Sequence, residues 1–255
     1  MKKNNETDHI NEDAPFTFEG RNAVLEAFAA GKTIHRLLVK KGEIEGSLRV
    51  IVAQAKELGV PVMLVPKEKL DAMSENGKHQ GVIAFAPAYE YADLDTVLTN
   101  ITQTNQQPFL IILDKIYDPH NLGAIIRTAS AAGAHAVIIP KRRSAGITSA
   151  VVRASAGAVE HIPICRVANI SQTIDRLKKQ NIWIVGTDAA GQLIYNTPLT
   201  GALALVIGNE GEGISRLVRE KCDFLASIPM LGPTPSLNAS VAAAVAMYEV
   251  LRRKF

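Results

Sequence analysis

Apolar positions along this chain follow two periods, and the changes between them predict where elements begin and end. Residues 22–30 carry apolar side chains at helical spacing, 36–39 form a strand-like run, and 48–58 return to the helical period. Short runs at 62–65 and 82–85 complete a small α/β unit that ends near Ala86. Residues 87–108 hold a brief apolar-patterned piece at 94–98 and then the polar run 102–107, a composition expected of a linker. Beyond it, β-rich runs at 109–113, 136–139, 182–185, 202–207 and 224–228 alternate with helical patterns, which predicts a mostly parallel sheet covered by helices. The expected organisation is a tail (1–15), a small N-terminal domain (16–87), a linker (88–107) and a larger C-terminal domain (108–255). In a parallel sheet, ligands bind where the strands' carboxyl ends gather their loops. The polar irregularities lie there: Asp118-Pro-His-Asn121 after the first of these five runs, Thr187-Asp-Ala-Ala-Gly191 after the third, Gly208 to Gly213 after the fourth, and Pro229 to Asn238 after the fifth.

Composition narrows the class. A chain of 255 residues buries roughly three quarters of its unfolded surface and needs no covalent staples. No apolar run approaches the ~20 residues that span a bilayer, so a membrane protein is not expected. The first fifteen residues mix Lys2 and Lys3 with Glu6, Asp8, Glu12 and Asp13, unlike a signal or transit peptide, and read as a frayed tail. Cys165 and Cys222 are the only cysteines, too few for a disulfide scaffold or a thiolate cage; they suit buried positions in a protein of the reducing cytoplasm. No histidine has metal-ligand spacing with a neighbour, and no metal site is expected. H-E-x-x-H, G-x-S-x-G and the Walker loop are absent, which weakens metalloprotease, hydrolase and nucleotidase readings. A net charge of +3 and a pI near 8.8 allow a nucleic-acid partner without requiring one.

The candidate chemistry sits in three segments. In residues 121–130, Leu122, Ile125, Ile126 and Ala129 form a buried helical stripe, with Pro119 and Asn121 at its start. Arg127 lies about 140° around the helix from Leu122 and so projects away from the core, either into solvent or onto a phosphate. Gly208-Asn-Glu-Gly-Glu-Gly213 is not a dinucleotide fingerprint, because its order is G-x-x-G-x-G and it comes late in its domain. Its glycines serve either a plain strand-to-helix turn or close backbone approach to a ligand, and Glu210 is either a carboxylate near a helix start or a site residue. Ser236 and Asn238 precede a helix over 240–251, as caps or as site residues. That helix is rich in small residues, with Val241, Val245 and Tyr248 on one stripe suited to close packing, including on a second subunit. Lys141, Arg142, Arg143 and Arg153 concentrate positive charge suited to a polyanion.

Together these segments resemble the SpoU (TrmH) group of SPOUT methyltransferases, which transfer methyl from S-adenosylmethionine to an RNA ribose 2′-hydroxyl. The motifs at 121–129, 205–215 and 228–239 occur in the family's order without a departure from its pattern. The N-terminal unit, with Gly20-Arg-Asn-Ala-Val-Leu25 and Lys78-His-Gln-Gly-Val82, resembles the family's ribosomal-protein-like substrate-binding domain. With Asp118-Pro-His-Asn-Leu-Gly123 and Pro140-Lys-Arg-Arg143, the chain is most similar to the branch that methylates a guanosine in the peptidyl-transferase loop of large-subunit (23S) rRNA. The resemblance implies an α/β fold with a C-terminal trefoil knot and a homodimer packed through knot-region helices. It also implies cofactor contacts around Thr187, Gly208, Ile228, Met230, Leu237 and Asn238. Catalytic positions at Asn121, Arg127, Glu210, Ser236 and Asn238 follow by the same likeness, with RNA contacts at Arg21, Asn22, His79 and Gln80. Transfer RNA is the alternative substrate within that chemistry, and a non-catalytic RNA-binding assembly factor is the alternative from another class. A nicotinamide enzyme lacks its early glycine fingerprint.

Overall fold

The computed structural model describes residues 16–74, 77–87 and 89–254, so the expected tail lies outside the described residues. The chain forms two compact units that divide between Tyr89 and Glu90.

In the first unit, β1 (Phe16–Glu19), β2 (Arg36–Lys40), β3 (Val62–Val65) and β4 (Val82–Ala86) form a sheet in the order β1-β4-β2-β3. β4 runs antiparallel to both β1 and β2, and β2 runs parallel to β3. α1 (Arg21–Ala29), α2 (Ser47–Glu57) and α3 (Lys67–Met73) complete it. Leu37 and Val39 of β2 join Val24, Phe28 and Ile51 in one buried cluster, whereas Leu38 joins Leu70 and Phe85 in another. Both faces of the sheet are therefore covered, which is why β2 reads as a continuous apolar run. β1 escaped prediction because it is only four residues long, polar at every second position and half-buried throughout.

The second unit holds six parallel strands: β5 (Phe109–Leu113), β6 (Ala136–Pro140), β7 (Ile164–Val167), β8 (Trp183–Leu193), β9 (Leu203–Ile207) and β10 (Phe224–Ser227). Their order is β10-β8-β9-β5-β6-β7. The helices are α4 (Leu94–Gln103), α5 (Pro119–Ala131), α6 (Ser149–Ala154), α7 (Ile170–Lys179), α8 (Arg216–Lys221) and α9 (Ala239–Arg252).

Two expectations need correction. The expected linker holds a packed element: α4 is capped by Asp93, whose Oδ1 accepts the Thr96 N–H at 2.9 Å, and buries Leu94, Val97, Leu98 and Ile101 in the core of this unit. And β7 adds a sixth strand where five were expected. With Arg166 third in a four-residue strand, it carried no clear apolar run.

The order of the strands places the site. From β5 the chain proceeds through α5 to β6 on one side, and from its neighbour β9 through α8 to β10 on the other. Adjacent strands whose connections leave in opposite directions open a crevice at their carboxyl ends.

Candidate active site

β9 ends at Ile207, and the next residue must be glycine. A Cβ on Gly208 would lie 2.2 Å from the Gly213 carbonyl carbon, which is backbone and cannot swing aside. Asn209 and Gly213 close the loop as a tight hairpin: the Gly213 N–H donates to the Asn209 carbonyl at 2.9 Å, and Asn209 Oδ1 accepts the Gly211 N–H at 2.7 Å. That hairpin carries Glu210 at its tip.

One oxygen of Glu210 collects three donors. Oε1 accepts from Asn121 Nδ2 at 2.6 Å, from Asn238 Nδ2 at 3.1 Å, and from the Ala239 backbone N–H at 3.2 Å. Asn238 Nδ2 also donates to Asn121 Oδ1 at 2.9 Å, closing a triangle of side chains. The Ala239 N–H belongs to the first turn of α9 and has no partner within the helix, so the carboxylate sits where a helix favours an anion.

Asn238 serves two purposes, since its Oδ1 caps α9 by accepting from the Ser240 N–H at 2.9 Å and Ser240 Oγ at 2.6 Å. The cap of α5 is Asp118, whose Oδ1 accepts the His120 N–H at 2.9 Å. Pro119 then stands at the helix start, and Asn121 turns inward to a buried position within the first turn.

A cavity of about 570 Å³ opens beside this triangle. Thr187, Gly208, Ile228, Met230 and Leu237 line it, together with Glu210 and Ser236. Asn238 belongs to the triangle and not to the cavity wall. β8 contributes through an interruption: its pairing with β10 jumps from Gly186–Leu225 to Gln192–Ala226, so that 187–191 splay outward. A Cβ on Gly191 would stand 2.4 Å from the Leu225 carbonyl oxygen, so only glycine allows the strand to rejoin. Asp188, Ala226, Pro235 and Ala242 also line the cavity and were not singled out from the sequence. The small residues there had no signal beyond lying next to the loops already noted.

Arg127 is exposed, as its helical angle predicted, and makes no hydrogen bond or ion pair with the described residues. It stands about 9 Å further along α5 than Asn121, at ~1.5 Å per residue. Ser236 is likewise exposed and is not hydrogen-bonded to the triangle. The fold thus unites Asn121, Glu210 and Asn238 and leaves Arg127 and Ser236 facing outward.

Two side chains from the end of β5 fasten the glycine hairpin. Asp114 Oδ2 accepts the Ser215 N–H at 2.7 Å, and Lys115 Nζ meets Glu212 Oε2 at 2.5 Å. The pairing raises the Lys115 pKa and lowers that of Glu212. Neither residue was singled out, because 97 residues separate Lys115 from its partner.

The remaining expected contacts fall in two places. Lys141, Arg142 and Arg143 follow β6 and, like Arg153 on α6, are exposed. Arg21, Asn22, His79 and Gln80 belong to the first unit. His79 departs from expectation: its ring is buried, Nδ1 accepts the Gly81 N–H at 3.0 Å, and Nε2 pairs with Asp71 Oδ1 at 2.8 Å. Both ring nitrogens are engaged within the protein, so His79 shapes its loop and offers RNA no free ring nitrogen.

Comparison with known proteins gives the family. Residues 108–248 match the SpoU rRNA methylase family, and residues 18–92 match the RNA 2′-O ribose methyltransferase substrate-binding family. YacO of Bacillus subtilis, assigned by name to the TrmH family of tRNA/rRNA methyltransferases, is 48% identical over 236 residues, 92% of this chain and 94% of its own. The chain belongs to the SpoU rRNA methylase family. It is an RNA methyltransferase that uses S-adenosylmethionine. Among solved structures, the SpoU methyltransferase AviRb from Streptomyces viridochromogenes, in complex with S-adenosylmethionine, superposes with a TM-score of 0.72 at 27% identity, covering 94% of this chain and 91% of that one. An rRNA methyltransferase from Sinorhizobium meliloti with the same compound bound gives a TM-score of 0.67 at 27% identity, covering 94% and 88%. Among the described residues no helix is long and apolar enough to cross a membrane.

Proposed function

We propose that this SpoU methylase methylates the ribose 2′-hydroxyl of a guanosine in 23S rRNA, acting in the cytoplasm as a homodimer with a C-terminal trefoil knot. The observation that carries the proposal is the Asn121–Glu210–Asn238 triangle beside a cavity walled by glycine and proline loops. The cavity suits S-adenosylmethionine: Gly208, Gly211 and Gly213 line it without side chains, so part of its wall is bare main chain that a flat adenosine can approach.

When bound, the cofactor would supply an electrophilic sulfonium methyl group, transferred in line to the ribose oxygen with the neutral thioether as leaving group and the hydroxyl proton passing to solvent. Alignment of the attacking oxygen then dominates, and well-oriented partners lower such a barrier by about 7–11 kcal/mol. Glu210 and Asn121, locked by their shared hydrogen bonds, shape the cavity edge against which the nucleotide seats. Arg127 clamps the target phosphate through its planar fork. A guanidinium offers five N–H donors and no acceptor, so it is better suited to that clamp than to removing the hydroxyl proton. Ser236, exposed on the cavity wall, donates to the substrate. Lys141, Arg142, Arg143 and Arg153 hold flanking phosphates. The reading of ribosomal over transfer RNA rests on the resemblance of the N-terminal unit, through Gly20-Arg-Asn-Ala-Val-Leu25 and Lys78-His-Gln-Gly-Val82, to that of the rRNA-directed branch.

Labelled methyl transfer into unmodified 23S rRNA and unmodified bulk tRNA, followed by mapping, tests this reading. A ribose-methylated guanosine in rRNA alone is expected; label in tRNA alone would move the substrate to tRNA. Arg127→Ala should lower transfer at least about a hundredfold, as loss of one charge-stabilising group does, while calorimetry finds cofactor binding unchanged. Normal turnover by that variant would remove Arg127 from the mechanism.

A further inference from the structure

The first unit carries a second, larger cavity of about 810 Å³, within the roughly 300–1,000 Å³ range of small-ligand pockets. Four cations line it, Arg21, Lys40, Lys67 and Lys78, against two carboxylates, Glu43 and Asp71. Asp71 is already engaged by His79 and lies 4.0 Å from Lys67. Lys40 and Lys78 make no side-chain hydrogen bond or ion pair with the described residues. Arg21 is positioned without being neutralised: Nε donates to the Gln80 carbonyl at 3.2 Å and Nη1 to Ser47 Oγ at 3.4 Å. Three of its five N–H groups remain for a ligand.

The rim of this cavity is strained and locked. Gln80 has φ 49°, a left-handed conformation uncommon outside glycine. Such a residue persists only where its surroundings over-determine it, and these positions cluster at ligand clamps. Here the restraints are the His79 ring, which joins the Gly81 N–H to Asp71, and the two hydrogen bonds between Arg21 and Gln80. One of them fixes the amide: Gln80 Oε1 accepts the Arg21 N–H at 3.2 Å, which leaves Nε2 with donors only to present.

We infer that this cavity binds one unpaired nucleotide of the RNA substrate, with its phosphate on Arg21 and Lys40 and an acceptor on its base edge at the Gln80 amide nitrogen. The inference rests on the reading of this chain as an RNA-directed enzyme and names the RNA element it grips. Duplex RNA is held mostly through shape and phosphates across an open surface, whereas unpaired loops and bulges offer bases that enter pockets. A cationic cavity with a preset amide donor fits the second class.

The test uses the full-length chain and fluorescence anisotropy with two labelled RNAs of equal length, a hairpin with a single-stranded loop and a fully paired duplex. The hairpin should bind about tenfold tighter, and Gln80→Gly, which suits the left-handed backbone, should remove most of that preference while melting temperature and cofactor binding hold. Lys40→Ala should make the salt dependence of hairpin binding shallower by about 0.7 in the log–log slope, the share of one phosphate on a single strand. Equal binding of both RNAs, or a hairpin preference unchanged in both variants, would overturn the inference. Methyl transfer is read separately. If both variants methylate RNA with wild-type KM, the cavity assignment falls and the enzymatic reading stands; selective hairpin capture by a chain that methylates no RNA would leave the cavity standing and remove the enzymatic reading.

Discussion

At the scale of single residues, the site depends on positions where a side chain has no room and on one where a charge is held by neighbours. Gly208→Ala would drive its Cβ into the Gly213 backbone, whereas the nearest atom to a Cβ on Gly211 is Asn209 Oδ1 at 3.4 Å. Calorimetry should therefore find cofactor affinity reduced at least about tenfold by Gly208→Ala, equivalent to ~1.4 kcal/mol, and close to wild type in Gly211→Ala; similar affinities in both would dissociate the hairpin from binding. Glu249, on the last turns of α9, is buried and accepts from Arg252 Nε and Nη2 and from Arg253 Nε, each at 2.8 Å. These arginines hold its carboxyl at about 2, below the ordinary 4.5. A depressed folded value means stability fully present above pH 4.5 and lost as pH falls toward 2. Glu249→Gln should cost about 2 kcal/mol at pH 7, with the gap to wild type in urea midpoints narrowing by pH 3. The residue types of the triangle were legible in the sequence because loops dense in glycine and proline announce themselves. Their bonding was not, since Asn121 finds Glu210 89 residues away and Asn238 117 residues away.

At the scale of elements, the ion pair between Lys115 and Glu212 straps the β5–α5 connection to the glycine hairpin. Lys115 has φ 61°, so its backbone, like that of Gln80, is held where glycine would be more comfortable. Glu212 is well exposed, and an exposed pair contributes at most about 1 kcal/mol. Lys115→Glu and Glu212→Lys should each weaken cofactor binding about threefold, within that limit, and the double exchange should restore it. Additive losses in the double variant would show that the strap does not act as a pair. Long apolar runs at the centres of the sheets, such as β5 and β9, were read correctly because both faces are buried. Among the elements that escaped, each short, at an edge or half polar, are β1, α3, β7, and α4, whose buried stripe of Leu94, Val97, Leu98 and Ile101 fades into a polar final turn.

At the scale of the molecule, α9 buries Ala239, Ala243, Ala246, Met247 and Val250 against its own unit and leaves Val241, Val245 and Tyr248 exposed along one stripe. An exposed apolar stripe beside a site suits a two-fold partner, where the same patch meets itself. Tyr248→Glu combined with Val245→Glu should convert a dimer to a monomer in analytical ultracentrifugation without loss of helical circular dichroism; an unchanged mass would exclude this stripe as the subunit contact.

Sequence alone determined a parallel α/β domain, the loops at its strand ends, and the outward projection of Arg127. These follow from local periodicity, backbone-restricting residues and helical angle, which act over a few residues. Only the tertiary structure decided that α4 belongs to the second unit, that both ring nitrogens of His79 clasp its own loop, and that one Glu210 oxygen collects an asparagine from each of two distant helix starts. Those outcomes depend on strand order, and strand order is set by the burial of whole elements against one another, a quantity that no short window of sequence contains.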